Sequence, residues 1–182
     1  MSQVEPWPRP VELGYGRWDV EPTGSSAVLG LDDWAFGQVE ALLGIVQGTV
    51  LVPFWSAGRP LAGDPFSVEL RMGLGPLATG HSRLDRRLRS SSMLDVGRHG
   101  WVRLRATEPR PAGGRWALNG VLTLASVTDA VPVRAALAAP VSGARVSIDL
   151  LVDRRSFGMT RYSYRIGPQF RMHIDAAVRR SG

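Results

Sequence analysis

The chain has 182 residues, of which 22 are basic and 16 acidic for a formal net charge of +6, with 21 Gly, 13 Pro and no cysteine. One ordinary domain fits that length, and a chain of this size buries roughly 70% of its unfolded surface. A composition of 44% hydrophobic and 21% charged residues excludes a disordered or collagenous chain, and the lack of cysteine excludes a disulfide scaffold, a cysteine nucleophile and any thiolate-held zinc or iron–sulfur centre.

Every basic residue is an arginine; there is no lysine, and Asn119 is the only asparagine. With guanidinium alone setting the basic end of the titration, a modest charge excess gives a pI of about 11.1. The high pI therefore carries little information about a nucleic-acid partner, and none is expected.

Residues 1–16 hold Glu5, Arg9, Glu12, Pro6, Pro8 and Pro10. That is a loose Pro-rich arm rather than the basic start and apolar run of a secretory signal, so a cytoplasmic location is expected. Strands are expected near Arg17 to Val20, Ala27 to Asp33 and Ile45 to Val52. The uncharged window from Ala41 to Gly58 is interrupted by Gly44, Gln47, Gly48 and Pro53, which suits a strand and turns better than a membrane span.

From Phe66 onward the apolar residues fall on every second position, the signature of strands with one wet face. The runs are Phe66, Val68, Leu70, Met72 and Leu74; then Val102, Leu104 and Ala106; then Trp116, Leu118, Leu122 and Leu124. They continue with Val131, Val133, Ala135 and Leu137; then Val146, Ile148, Leu150 and Val152; then Phe170, Met172, Ile174, Ala176 and Val178. Between the first two runs, Leu84 and Leu88 lie at helical spacing among Arg83, Asp85, Arg86, Arg87 and Arg89, which predicts one short helix near residues 81–90. Seven to nine antiparallel strands with one helix make a barrel or a sandwich, and closure into a barrel removes exposed edges.

Four segments in order resemble the YceI-like family. They are Trp18-Asp19-Val20-Glu21-Pro22 with Ser25-Ser26; Leu88-Arg89-Ser90-Ser91-Ser92-Met93-Leu94-Asp95; Gly120-Val121-Leu122-Thr123-Leu124 with Val127-Thr128 and Val131; and Arg154-Arg155-Ser156-Phe157-Gly158-Met159. The chain departs from the family pattern at Gly24, Met93, Gly100, Ser126 and Ala130, mostly turn positions. The resemblance implies an all-β fold over residues 17–180, an extended eight-stranded antiparallel up-and-down barrel, lipocalin-like. It also implies an apolar tunnel that binds, stores or transports a polyisoprenoid, an isoprenoid quinone or a fatty-acid-like amphiphile without catalysis.

On that reading the inward residues Phe66, Val68, Leu70, Met72, Val102, Leu104, Ala106, Trp116, Leu118, Leu122, Val133, Ala135, Ile148, Leu150, Phe170, Met172 and Ile174 line the tunnel. Small residues at Ala106, Gly120 and Ala135 leave room, and Arg83, Arg87 and Arg154 are head-group candidates, since a guanidinium pairs bidentately with phosphate. The expected partner is a hydrophobic small molecule, with a homodimer left open; no cofactor, metal or transmembrane segment is expected. The alternative is an arginine-rich barrel that binds an anionic polymer or a membrane surface. His81, His99 and His173 lack metal-ligand spacing, and no Gly-x-Ser-x-Gly elbow or phosphate loop occurs. The six tryptophans are expected in a rigid core, the alternative being that some guard the barrel ends.

Overall fold

Alternating side chains become the two faces of one continuous antiparallel sheet. A computed structural model describes residues 13–44, 46–56, 59–60, 66–138 and 144–182; the greater part of the N-terminal arm lies outside them. The strands are β1 (Gly16–Asp33), β2 (Gly37–Leu42), β3 (Val46–Val52), the two-residue pair β4 (Trp55–Ser56) and β5 (Arg59–Pro60), and β6 (Ser67–Gly73). After the helix α1 (Ser82–Arg89) come β7 (Trp101–Ala112), β8 (Arg115–Leu124), β9 (Val127–Ala138), β10 (Ala144–Asp153), a 3-10 turn (Arg154–Phe157) and β11 (Ile166–Arg180).

Neighbours run β3, β6, β7, β8, β9, β10, β11, and β1 closes the circle by pairing with β11 on one side and β3 on the other. Eight antiparallel strands therefore form a closed barrel, and β2 adds a ninth along the second half of β1. This is the all-β, lipocalin-like barrel that the family resemblance implies; the alternation alone left a barrel or a sandwich. Registers place inward residues of successive strands opposite one another: Val50 faces Val68, Val68 faces Ala106, Ala106 faces Gly120 and Gly120 faces Val131.

Two early expectations are refined. The segments around Arg17 to Val20 and Ala27 to Asp33 are one strand, β1, with a bulge where the register against β11 shifts between Glu21 and Ser26. Pro22 and Gly24 break the pleat there, and the Ser25 hydroxyl bridges the gap. It donates to the Glu21 carbonyl at 2.6 Å and accepts from the Ala177 amide at 2.9 Å. β2 has no counterpart among the expected strands, although Val39 and Ala41 alternate inward within it.

Helix α1 covers one end of the barrel. It turns Leu84 and Leu88 inward and its arginines outward, as period 3.6 dictates. Its exit folds back tightly, with the Leu94 amide on the Leu88 carbonyl and the Ser90 hydroxyl on the Arg87 carbonyl. That return tucks Met93 and Leu94 under the helix, fully buried.

Candidate functional site

The seventeen residues expected to line a ligand tunnel are all buried in the barrel core. β6 supplies Val68, Leu70 and Met72, with Phe66 just before it. β7 supplies Val102, Leu104 and Ala106, and β8 Trp116, Leu118 and Leu122. Val133 and Ala135 come from β9, Ile148 and Leu150 from β10, and Phe170, Met172 and Ile174 from β11. Closure of the barrel brings them into one apolar cluster with β1, β2 and β3 residues that sequence reasoning did not single out, among them Leu29, Leu31, Val46 and Val50. Their signal was present as apolar alternation, but the β1 bulge divides it.

The room expected at Gly120 is taken by its neighbours. A Cβ on Gly120 would lie 2.4 Å from Val133 Cγ2 and 2.7 Å from the Val131 carbonyl oxygen. The glycine is there because β9 approaches closely, not because a gap is needed. Gly48 serves the same purpose between β3 and β6, where a Cβ would sit 1.9 Å from the Glu69 carbonyl oxygen.

Among the described residues only three polar side chains are buried: Asp33, Ser67 and Arg154. All three stand at strand ends, Asp33 closing β1, Ser67 opening β6 and Arg154 following β10. Four methionines, Met72, Met93, Met159 and Met172, face the interior or its helix-covered end, and each is buried.

The three head-group candidates are not equivalent. Arg154 is 1% exposed and turns inward. Its Nε donates to the Gly167 carbonyl at 2.9 Å, Nη2 to Ile166 at 2.9 Å, and Nη1 to Arg161 at 3.0 Å and to Met159. Burial pushes its pKa below the usual guanidinium value, while Asp153 beside it works the other way. The fork thus ties the 159–167 loop to the barrel end. Arg83 and Arg87, in contrast, line an outward groove of about 470 Å³ with Arg86, Ser90 and Tyr162. The Arg87 guanidinium lies over the Tyr162 ring at 5.9 Å, and its Nη1 is buried without a hydrogen-bond partner.

A larger groove of about 640 Å³ runs along the outer face of β1, β2, β9, β10 and β11. In it Asp149 accepts from Arg115 at 2.5 Å and pairs with His173 Nδ1 at 2.6 Å. Partial burial pushes the Asp149 carboxyl up, but His173 and Arg115 outweigh it and hold it below the ordinary range. Among the described residues no serine or threonine lines this groove.

The tryptophans correct one expectation. Trp116 is buried, but Trp34 is 81% exposed and Trp101 lies half in solvent under Arg71, 4.8 Å from its guanidinium. Trp34 tips the β1–β2 hairpin, a position that alternation says nothing about.

A profile of the YceI-like domain matches residues 18–178, nearly the whole described barrel. The chain belongs to the YceI-like domain family. Solved structures share the fold at low identity. One is BcnA of Burkholderia cenocepacia, with a TM-score of 0.72 at 13% identity, covering 88% of this chain and 99% of that one. Another is a polyisoprenoid binding domain from Saccharophagus degradans implicated in plant cell wall breakdown, with a TM-score of 0.65 at 10% identity over 90% and 98% of the two chains. A YceI protein of Campylobacter jejuni has a TM-score of 0.53 at 13% identity, over 64% and 74%. No curated protein matches the sequence. At these identities the structural likeness speaks for the fold; the YceI-like barrel is what the chain shares with them.

Proposed function

We propose that this YceI-like protein binds one elongated apolar molecule inside its barrel and acts as a carrier or store, not as an enzyme. The observation that carries this reading is the interior itself, apolar from end to end with its few buried polar side chains confined to strand ends. Between the strand ends the described residues of this interior offer only apolar surface, and each methylene of a tail that it buries is worth about 0.8 kcal/mol. The polyisoprenoid binding domain with the same fold supports an isoprenoid tail as the first choice of ligand.

Entry requires the interior to rearrange. The four methionines suit that, being unbranched and able to repack around a guest at small cost. Helix α1 is the natural cover to move. It has eight residues, its N-cap His81 makes no side-chain cap bond, and it buries only Leu84 and Leu88, its other ties including the bonds of Asp85 to Thr79 and of Arg89 to the Gly75 and Leu77 carbonyls. A helix this short has little stability of its own. An anionic head would then meet Arg83 and Arg87 at the rim, while Arg154 stays committed to backbone carbonyls.

Solvent extraction of the purified protein followed by mass spectrometry tests this directly. An apolar lipid at near one-to-one occupancy is the expected result. Protein that yields none, and that after stripping fails to take up a long-chain isoprenoid alcohol, overturns the proposal. Replacing Arg83 and Arg87 with Ala is expected to weaken a diphosphate-bearing isoprenoid more than its neutral alcohol, and equal losses would remove the head-group role.

A further inference from the structure

The charge of this barrel is not evenly spent. On its wall five arginines face carboxylates: Arg105 with Glu69, Arg115 with Asp149, Arg145 with Asp175, Arg171 with Asp32 and Arg179 with Glu21. Arg103 and Arg134 stand apart there without one among the described residues. At the helix-covered end Arg155 pairs with Asp153 and Arg165 with Asp33. Arg83, Arg86 and Arg161 of that end are exposed and enter no ion pair among the described residues. The acid on that helix, Asp85, is occupied by the Thr79 amide at 2.7 Å and the Thr79 hydroxyl at 2.6 Å.

The same end carries exposed aromatic side chains, and contacts join them to the arginines in one patch. Phe36 stacks on His81 with ring centroids 4.2 Å apart, which puts the β1–β2 hairpin against the helix start. The Trp34 amide donates to the Arg165 carbonyl at 2.8 Å, which puts the hairpin against the loop that carries Tyr164. Tyr162 of that loop closes the circuit under Arg87. Trp34 and Tyr164 are 81% and 70% exposed.

Three buried polar atoms in the described chain lack a partner: Arg87 Nη1, Arg165 Nε and Asp33 Oδ2. All belong to this end. Arg165 and Asp33 form a loose ion pair with each other at 3.9 Å, which leaves Arg87 as the guanidinium at this end with no carboxylate beside it and one N–H unsatisfied.

We propose that this end is a docking face for an anionic phospholipid bilayer. Arginines without carboxylate partners meet lipid phosphates, and Trp34, Phe36 and Tyr164 settle at head-group depth, where Trp and Tyr concentrate. An acidic macromolecule in solution explains the charge but leaves the exposed Trp34 and Tyr164 without purpose. The docking face stands independently of what the interior holds.

The test is co-sedimentation of the lipid-stripped full chain with vesicles of phosphatidylcholine alone and of phosphatidylcholine with about one third phosphatidylglycerol. Partition onto the anionic vesicles is expected, with little onto the neutral ones, and near-complete loss at about 1 M salt, where screening shortens to about 3 Å. Since each surface arginine near a bilayer is worth about 1 kcal/mol, the double variant Arg83→Ala/Arg86→Ala should lower partition about thirtyfold. Trp34→Ala should lower it several-fold at unchanged charge. Arg103→Ala/Arg134→Ala removes two exposed, unpaired arginines from the barrel wall and should leave partition unchanged. These side chains point into solvent, so the variants are expected to fold, and circular dichroism checks it. Equal partition onto both vesicles, no partition, an equal loss from the wall variant, or retention on heparin without vesicle binding each overturns the proposal.

Discussion

Replacing Arg154 with Met asks what the one arginine buried among the described residues does. Methionine keeps most of the volume and removes the fork. Four backbone carbonyls, those of Met159, Arg161, Ile166 and Gly167, then lose a charged donor at a site that is 1% exposed. A hydrogen bond to a charged group contributes about 1.5–3 kcal/mol, and an acceptor left dry costs about 1–3 kcal/mol. Against this stands the desolvation of the guanidinium, which the variant no longer suffers and which is itself several kcal/mol. The net loss should be about 2–4 kcal/mol, because several carbonyls are left dry but no buried charge is left unpaired. Urea unfolding read from the midpoint, with the slope unchanged, measures it. Arg154→Lys should recover little, because an ammonium cannot reach carbonyls on several sides at once. A loss below about 1 kcal/mol, together with a weaker preference for a charged lipid over a neutral one, would refute the structural role and return Arg154 to the head group.

Other consequences can be measured alongside. Gly120→Ala should cost about 1–3 kcal/mol by overpacking, and combining it with Val133→Ala should cost less than the two singles together, since the Val133 Cγ2 atom is what the new methyl meets. The β8–β9 turn places Ala125 and Ser126 at φ of 48° and 68°, a conformation that Asn-Gly adopts with less strain. The double change to Asn-Gly should therefore raise stability by about 1 kcal/mol in the same urea experiment. Leu88→Ala, under the helix, should lose about 2–5 kcal/mol and speed hydrogen exchange in α1 before the strands. Arg155 beside Asp153 holds that carboxyl at about 2 against an ordinary 3.8. A depressed acid stabilises the fold above its unfolded value and loses that contribution as pH falls through the folded one. Asp153→Asn should thus flatten the stability profile between pH 3.8 and about 2, as checked by urea titrations across that window.

Much of the barrel is readable from alternation because an antiparallel sheet with one wet face writes itself at period two. Every residue from Val102 to Ala106 follows that rule, and so does every one from Val146 to Val152 except Leu151, a leucine on the wet face; the burial alternates in both. Where reading stops, a local device has replaced the period. Pro22 and Gly24 interrupt β1, and the Ser25 hydroxyl that rejoins it pairs with Ala177, 152 positions away, a distance that no local pattern spans. Gly120 looks like empty space in sequence, yet it marks the approach of β9. Arg154 reads as a head-group candidate until the loop from Met159 to Gly167 wraps around it. The exposure of Trp34 and Tyr164 is equally hidden, since it depends on which ends of the barrel the hairpin and loop occupy.

The pairing of β1 with β11 also bears on how the protein is made. Eleven register positions join these two strands, from Trp18 opposite Arg180 to Asp33 opposite Ile166. During synthesis β1 emerges early and must wait for the whole intervening sheet before its permanent neighbour exists. Until then it offers a long unpaired edge, the feature that invites strand addition from another chain. Long-range pairing of this kind also slows folding. The charged residues on the outward face of β1, Arg17, Asp19 and Glu21 among them, lie along that waiting edge. They keep it unattractive to a second nascent copy until β11 arrives to seal it.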